Sequence, residues 1–162
     1  MKNRIFVPIL FLALVFFGIG NAQAKEESDA SCLTACDQIP AAVQAFQKIH
    51  SLKTEEDEID YLLYRIRQVN AQFFRNGVTY NGADSAKFLR WKIGWYYKTH
   101  HVKIETDEDF VKKVLQGSEK TGKPYQIIMP DGSRHNAQLV MANEMNALNA
   151  RANTVPQASV HA

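Results

Sequence analysis

The eight residues FFRNGVTY, Phe73 to Tyr80, set two apolar pairs on either side of Asn76-Gly77. Asn-Gly is the dipeptide that best accepts the positive backbone angles of a two-residue hairpin turn, so a short β-hairpin is the economical reading of this stretch. Immediately before it, LKTEEDEIDYLLYRIRQVN carries a different period. Ile59, Leu62, Leu63, Ile66 and Val69 recur at helical spacing, and Thr54 with Asp57 three residues on makes a capping signal. Glu55, Glu56 and Asp57 fall where the helix dipole favours acids. That acidic run is read as helix capping ahead of a metal site or a recognition patch. A helix that runs into a hairpin restricts the fold to a mixed class.

The rest of the chain repeats the alternation. Asn81-Gly82 leads into a helix from about Ala83 to Lys98, and Thr106 with Asp109 announces another, with Phe110, Val111, Val114 and Leu115 as its apolar side. YQIIMPDGSRHNA reads as strand, Pro-Asp-Gly turn and returning strand, and Asn136 can cap a last helix to about Asn149. The expected architecture is α+β: three or four helices packed on a small antiparallel sheet made of the two hairpins. The expected organisation is a signal peptide at 1–24, an N-terminal extension at 25–53 with a helix starting near Pro40, one domain at 54–149 and a flexible tail at 150–162.

The first 24 residues are set aside from the fold. Lys2 and Arg4 precede an apolar run from Ile5 to Ile19, and Ala22-Gln23-Ala24 is a small-x-small cleavage pattern. The expectation is cleavage after Ala24, giving a periplasmic or secreted protein with no stable membrane span. Retention as an anchor is the alternative, because fifteen apolar residues fall short of the roughly 20 that span a bilayer but can dip into one. Removing 24 of the 162 residues leaves 138, and taking Lys2 and Arg4 from the 19 basic residues leaves 17 against 17 acids. A balanced charge argues against a nucleic-acid surface, which needs clustered cations.

Cys32 and Cys36 then lie in a compartment that permits disulfides. If SCLTACDQ begins as a helix, their Cα atoms stand about 6 Å apart, which a disulfide can bridge, within or between chains. So short a loop gains little from closure, the spacing is not the C-x-x-C of a redox pair, and two thiols are too few for zinc.

No constellation identifies a reaction or calls for a cofactor. Gly117, Gly122 and Lys123 have the spacing of a P-loop, but Pro124 stands where Ser or Thr should be and a strand pattern follows where a helix should start. None of the five histidines forms an i, i+4 pair with another ligand on an expected helix, and Ser85, Ser118 and Ser133 lack a nucleophile elbow. Two surfaces stand out instead. Arg75, Asn76 and Tyr80 flank one turn and Lys123 and Tyr125 the other, so if these loops meet, their cations and phenols converge on a small anionic ligand. The rival reading is that Arg75 and Asn76 only hold the turn and Tyr125 only packs in the sheet.

In GADSAKFLRWKIGWYYKTH, Ala86, Leu89, Ile93, Tyr96 and Tyr97 make one helical face, and Phe88, Trp91 and Trp95 gather on the opposite side. The expected cover for this second stripe is the N-terminal segment, through Val43, Phe46 and Ile49; the rival is a partner surface.

The order of FFRNGVTYNG, TDEDFVKKV and EKTGKPYQIIMPDG resembles the YfeK-like family of small secreted bacterial proteins of unknown function, over roughly Glu58 to Leu148. The resemblance implies a small exported domain of mixed helix and strand and carries over no catalytic residue. The chain departs from the usual pattern in having Ala71 where a Cys is common, no Trp near Leu139, and a longer segment before Thr54 with its own cysteines. The function expected is a non-catalytic binding or interaction module of the cell envelope, its partner an envelope protein or a small anionic ligand; the alternative is an envelope enzyme, hydrolase-like, whose site is not recognisable in sequence.

Overall fold

A computed structural model describes residues 32–152. The expected leader, the cleavage point after Ala24 and the tail beyond residue 152 lie outside the described residues. A 3-10 turn at Cys36–Gln38 leads into α1 (Ile39–Gln47), followed by α2 (Glu55–Gln68), β1 (Gln72–Arg75), β2 (Val78–Asn81), α3 (Gly82–His100), α4 (Asp107–Asp109), β3 (Gln126–Ile128), β4 (Arg134–Asn136) and α5 (Ala137–Ala152). The fold is α+β, with the four strands in one antiparallel sheet of order β2-β1-β3-β4.

Local chemistry sets the element boundaries. Thr54 and Asp57 form a reciprocal capping box on α2, Asn81 accepts from the Asp84 N–H at the start of α3, Thr106 caps α4, and Asn136 accepts from the Gln138 N–H at the start of α5. Asn76 and Gly77 both take positive φ, 52° and 86°, as a type I′ turn requires. Gly82 permits a close approach: a Cβ there would stand 2.2 Å from the Ile66 carbonyl oxygen, so only glycine lets α3 start against the end of α2. After Asp109 the helix widens into a π-helical turn, Phe110–Val114, closed by the Leu115 N–H on the Phe110 carbonyl. Phe110, Val111, Val114 and Leu115 are all buried there, and the helical stretch stops at Val114. At the other end of the chain, α5 runs to Ala152, three residues past its expected end.

One core joins all the layers. Ile59, Leu62 and Ile66 of α2, Phe73 and Ile127 of the sheet, and Val140 and Met141 of α5 are buried in it together with Ile39, Val43 and Phe46 of α1. α1 packs on α5 and α2, and Phe46 sits edge-on to Tyr61 and tilted against Tyr64. Cys32 and Cys36 are joined in a disulfide with Cα atoms 5.4 Å apart. The segment between them is not the helical turn considered above but a bend ahead of the 3-10 turn. None of the helices among the described residues is long and apolar enough to cross a membrane.

Candidate functional site

The antiparallel register decides which side chains face α3. Phe73 stands opposite Tyr80 and Ile127, so these three share the inner face, and Arg75, two residues along β1 from Phe73, points to the same side. Its guanidinium lies 3.6 Å from the Phe88 ring centroid on α3 and 4.9 Å from that of Tyr80. Tyr125 is buried at the entry to β3 with its ring edge-on to Phe88. The two loops meet, since the Thr121 hydroxyl donates to Asn76 Oδ1 at 2.8 Å. Arg75, Asn76, Tyr80 and Tyr125 therefore do come together. Lys123 does not: it is exposed, and the loop residues that line the cleft are Ser118, Glu119 and Lys120.

The aromatic stripe of α3 forms the outer wall of the same cleft. Phe88, Trp91 and Trp95 run along the helix with successive ring centroids 5.7 and 6.2 Å apart, and Trp91 is 59% exposed. Among the described residues, α1 does not cover them. Val43 and Phe46 face α5 and α2, and Ile49 is exposed, because the α1 face that carries them is already used by the core. The inner arc of α3 is also displaced from the expected one: Ser85, Ala86, Leu89 and Lys92 are buried, and Tyr97 is 55% exposed.

Lys92 is the functional-looking residue that periodicity missed. Its ammonium donates to the carbonyls of Val114 and Gly117, both at 2.8 Å, and to the Tyr125 hydroxyl at 3.2 Å. Burial pushes the amine down to about 8, with Glu119 opposing and Arg75 adding to the effect. With three acceptors for three protons it reads as a cap on the end of the π-helical turn rather than a free nucleophile. A lysine in line with Ser85 and Leu89 on the buried arc was the available signal. Beside it, the Tyr96 hydroxyl donates to the Lys113 carbonyl at 2.7 Å, and burial pushes that phenol up to about 12.

The cleft has two compartments that share Arg75, Phe88 and Tyr125: an inner cavity of about 230 Å³ between sheet and helix and an outer depression of about 220 Å³ under the tryptophans. Arg75 makes no ion pair with a described carboxylate. Its hydrogen bond to the Tyr125 phenol still leaves a guanidinium over aromatic faces without a described carboxylate on it, able to bind a carboxylate, sulfonate or phosphate through two N–H groups at once. The P-loop-like spacing has another use: the Ser118 and Gly122 N–H groups donate to the carbonyls of Lys123 and Ser118, so they are spent inside the turn.

Three other groupings are less apt. A groove of about 530 Å³ between α1, α2 and α3 is wider, but Arg90 and Asp60 on its walls pair with each other. Glu55, Glu58 and Asp107 bring carboxylate oxygens within 4.8 Å of one another and could hold a cation; burial and the neighbouring Asp107 and Glu55 raise Glu58, and Asp107 already accepts from Asn149. Ser133 Oγ stands 2.7 Å from Asp131 and 2.8 Å from His135 Nε2, a juxtaposition the sequence reading did not foresee. Hydrogen bonds from Ser133 hold Asp131 low and ionised, so the hydroxyl hydrogen goes to the acid and histidine must donate. In a nucleophilic triad the histidine takes that proton instead.

Residues 53–149 match a family of unknown function, DUF5329. Over 72 residues the chain is 38% identical to an uncharacterized protein, YfeK, of Salmonella typhimurium strain LT2; the match covers 44% of this chain and 57% of that protein. No solved structure matches the chain.

Proposed function

The chain belongs to DUF5329, a family of unknown function, and from that premise we propose that it is a non-catalytic binding module of the cell envelope that holds a small anionic ligand in the cleft between the first hairpin and α3. The reading rests on Arg75: a guanidinium with no acidic partner among the described residues, oriented by the rings of Phe88 and Tyr80 at the junction of two cavities. Preorganised, partly desolvated arginine is the usual means of holding an anion without turnover.

Both tryptophans of the chain, Trp91 and Trp95, line the outer depression, so tryptophan emission excited clear of tyrosine absorption reports on this site alone. Titration with benzoate is expected to change that emission saturably, with benzyl alcohol and benzylamine at least tenfold weaker. Arg75→Gln should lose benzoate at least tenfold, the scale of one charge-assisted bidentate contact. Equal response to all three compounds, or an Arg75→Gln protein that binds like wild type, ends this reading.

Export is part of the proposal. The apolar leader with its cleavage pattern supports it, as does the Cys32–Cys36 disulfide, since such bonds persist in oxidising compartments. Protein recovered from the envelope fraction should have the intact mass of a chain starting at Lys25. A precursor mass confined to the membrane counts against export while leaving the ligand site untouched.

A further inference from the structure

Behind Arg75 the inner cavity is larger than close packing leaves by accident. Folded interiors hold few voids bigger than a water molecule, whereas this one measures about 230 Å³, more than the roughly 150 Å³ that accommodates benzene. Two small residues keep it open. Ser85 and Ala137 are 7% and 1% exposed and line it where leucine would fill it, and Phe73, Leu89 and Leu115 make the remaining wall apolar. Asp84 also borders the cavity, but its carboxylate is at the solvent-exposed rim, where it accepts from Asn81 at 3.0 Å and lies 4.0 Å from the Lys87 ammonium. The cavity therefore has a largely apolar interior, with Arg75 at its junction with the outer depression.

We propose that this cavity takes the hydrocarbon end of a medium-chain aliphatic monocarboxylate, with the carboxylate on Arg75. The inference rests on the anion-binding reading above and adds the ligand class. By proportion with the benzene-sized cavity, the volume admits about nine carbon atoms. A shorter acid underfills it, and a long-chain acid must leave part of its tail in water. The apolar wall selects against inorganic anions, which would exchange hydration for hydrocarbon.

The test is calorimetric titration of the purified protein with butanoate, hexanoate, octanoate, decanoate and hexadecanoate, each below its micellar concentration, and with octanol. Affinity is expected to rise about fourfold per added methylene, to level off near nine carbons, and to fall at least tenfold from octanoate to octanol. Ser85→Leu and Ala137→Leu, each fitted into the cavity from a different wall, should flatten the length dependence. Should both variants fail to fold, the wild-type length series decides the matter alone. A flat series overturns the cavity assignment while charge-selective binding stands, and so does a gain that continues undiminished to hexadecanoate, which marks an open surface. Octanoate and octanol bound alike overturn both the cavity assignment and the anion-binding reading.

Discussion

Lys92 and Tyr96 sit side by side on α3 with opposite titration behaviour. The amine is pushed from 10.5 down to about 8 and the phenol from 10.0 up to about 12, in both cases chiefly by burial. Between about pH 8 and 10.5 the unfolded chain keeps a proton on Lys92 that the folded protein has released, so the contribution of Lys92 to stability rises with pH in that window. Between about pH 10 and 12 the folded protein keeps the Tyr96 proton that the unfolded chain has lost, so that contribution falls. Urea midpoints at pH 7.5, 9.5 and 11 are the measurement. The advantage of wild type over Lys92→Met should grow from the first pH to the second, and its advantage over Tyr96→Phe should shrink from the second to the third. A difference between wild type and Lys92→Met that is constant across pH 7.5 to 9.5 contradicts the assigned burial of the amine.

Among the elements, the attachment of the N-terminal segment matters most. Glu144 is fully buried on α5 and receives Arg65 of α2 at both oxygens, at 3.0 and 3.1 Å. The Leu33 N–H donates to it as well, at 3.0 Å, and Arg65 reaches Thr34 at 2.8 Å. One buried ion pair thus ties two helices and the disulfide segment together. Removing one partner of such a pair leaves an uncompensated charge and costs about 3–5 kcal/mol. Closing a loop of five residues with a disulfide contributes about 2 kcal/mol by the chain-entropy relation. Glu144→Ala should therefore destabilise the protein more than Cys32→Ser/Cys36→Ser does, as read by denaturant midpoints of the two variants. If the disulfide variant is the weaker one, the covalent bond and not the ion pair holds the segment.

For the whole molecule, the decisive fact is where α1 went. It joined the main core through Ile39, Val43 and Phe46 and left the stripe of α3 facing the cleft. Trp91, 59% exposed, should give the unliganded protein a red-shifted emission that acrylamide quenches readily, and a bound carboxylate should shift that emission to the blue. A blue-shifted, quencher-resistant spectrum in the free protein would mean that the stripe is covered.

Short-range chemistry was legible in the chain alone. The Thr54 capping box, the Asn76-Gly77 turn, the Asn136 cap and the two hairpins depend on residues a few positions apart, and each occurs where its residues predict. So do Arg75, Asn76, Tyr80 and Tyr125 as loop neighbours, because strand alternation and two turns place them. Lys123 was misjudged because proximity to a turn does not say which way a side chain leaves it. Lys92 and Glu144 lie on apolar helix faces, at the spacing of Leu89 and of Val140 and Leu148, but what makes a buried charge tolerable is a partner 22 to 111 residues away, and no local pattern encodes that partner. The same holds for the two faces of α3: periodicity sorted its side chains into stripes, and only the assembled layers determined that α2, the sheet and the π-helical turn would bury an arc containing Lys92 and leave the tryptophans as the wall of a cleft.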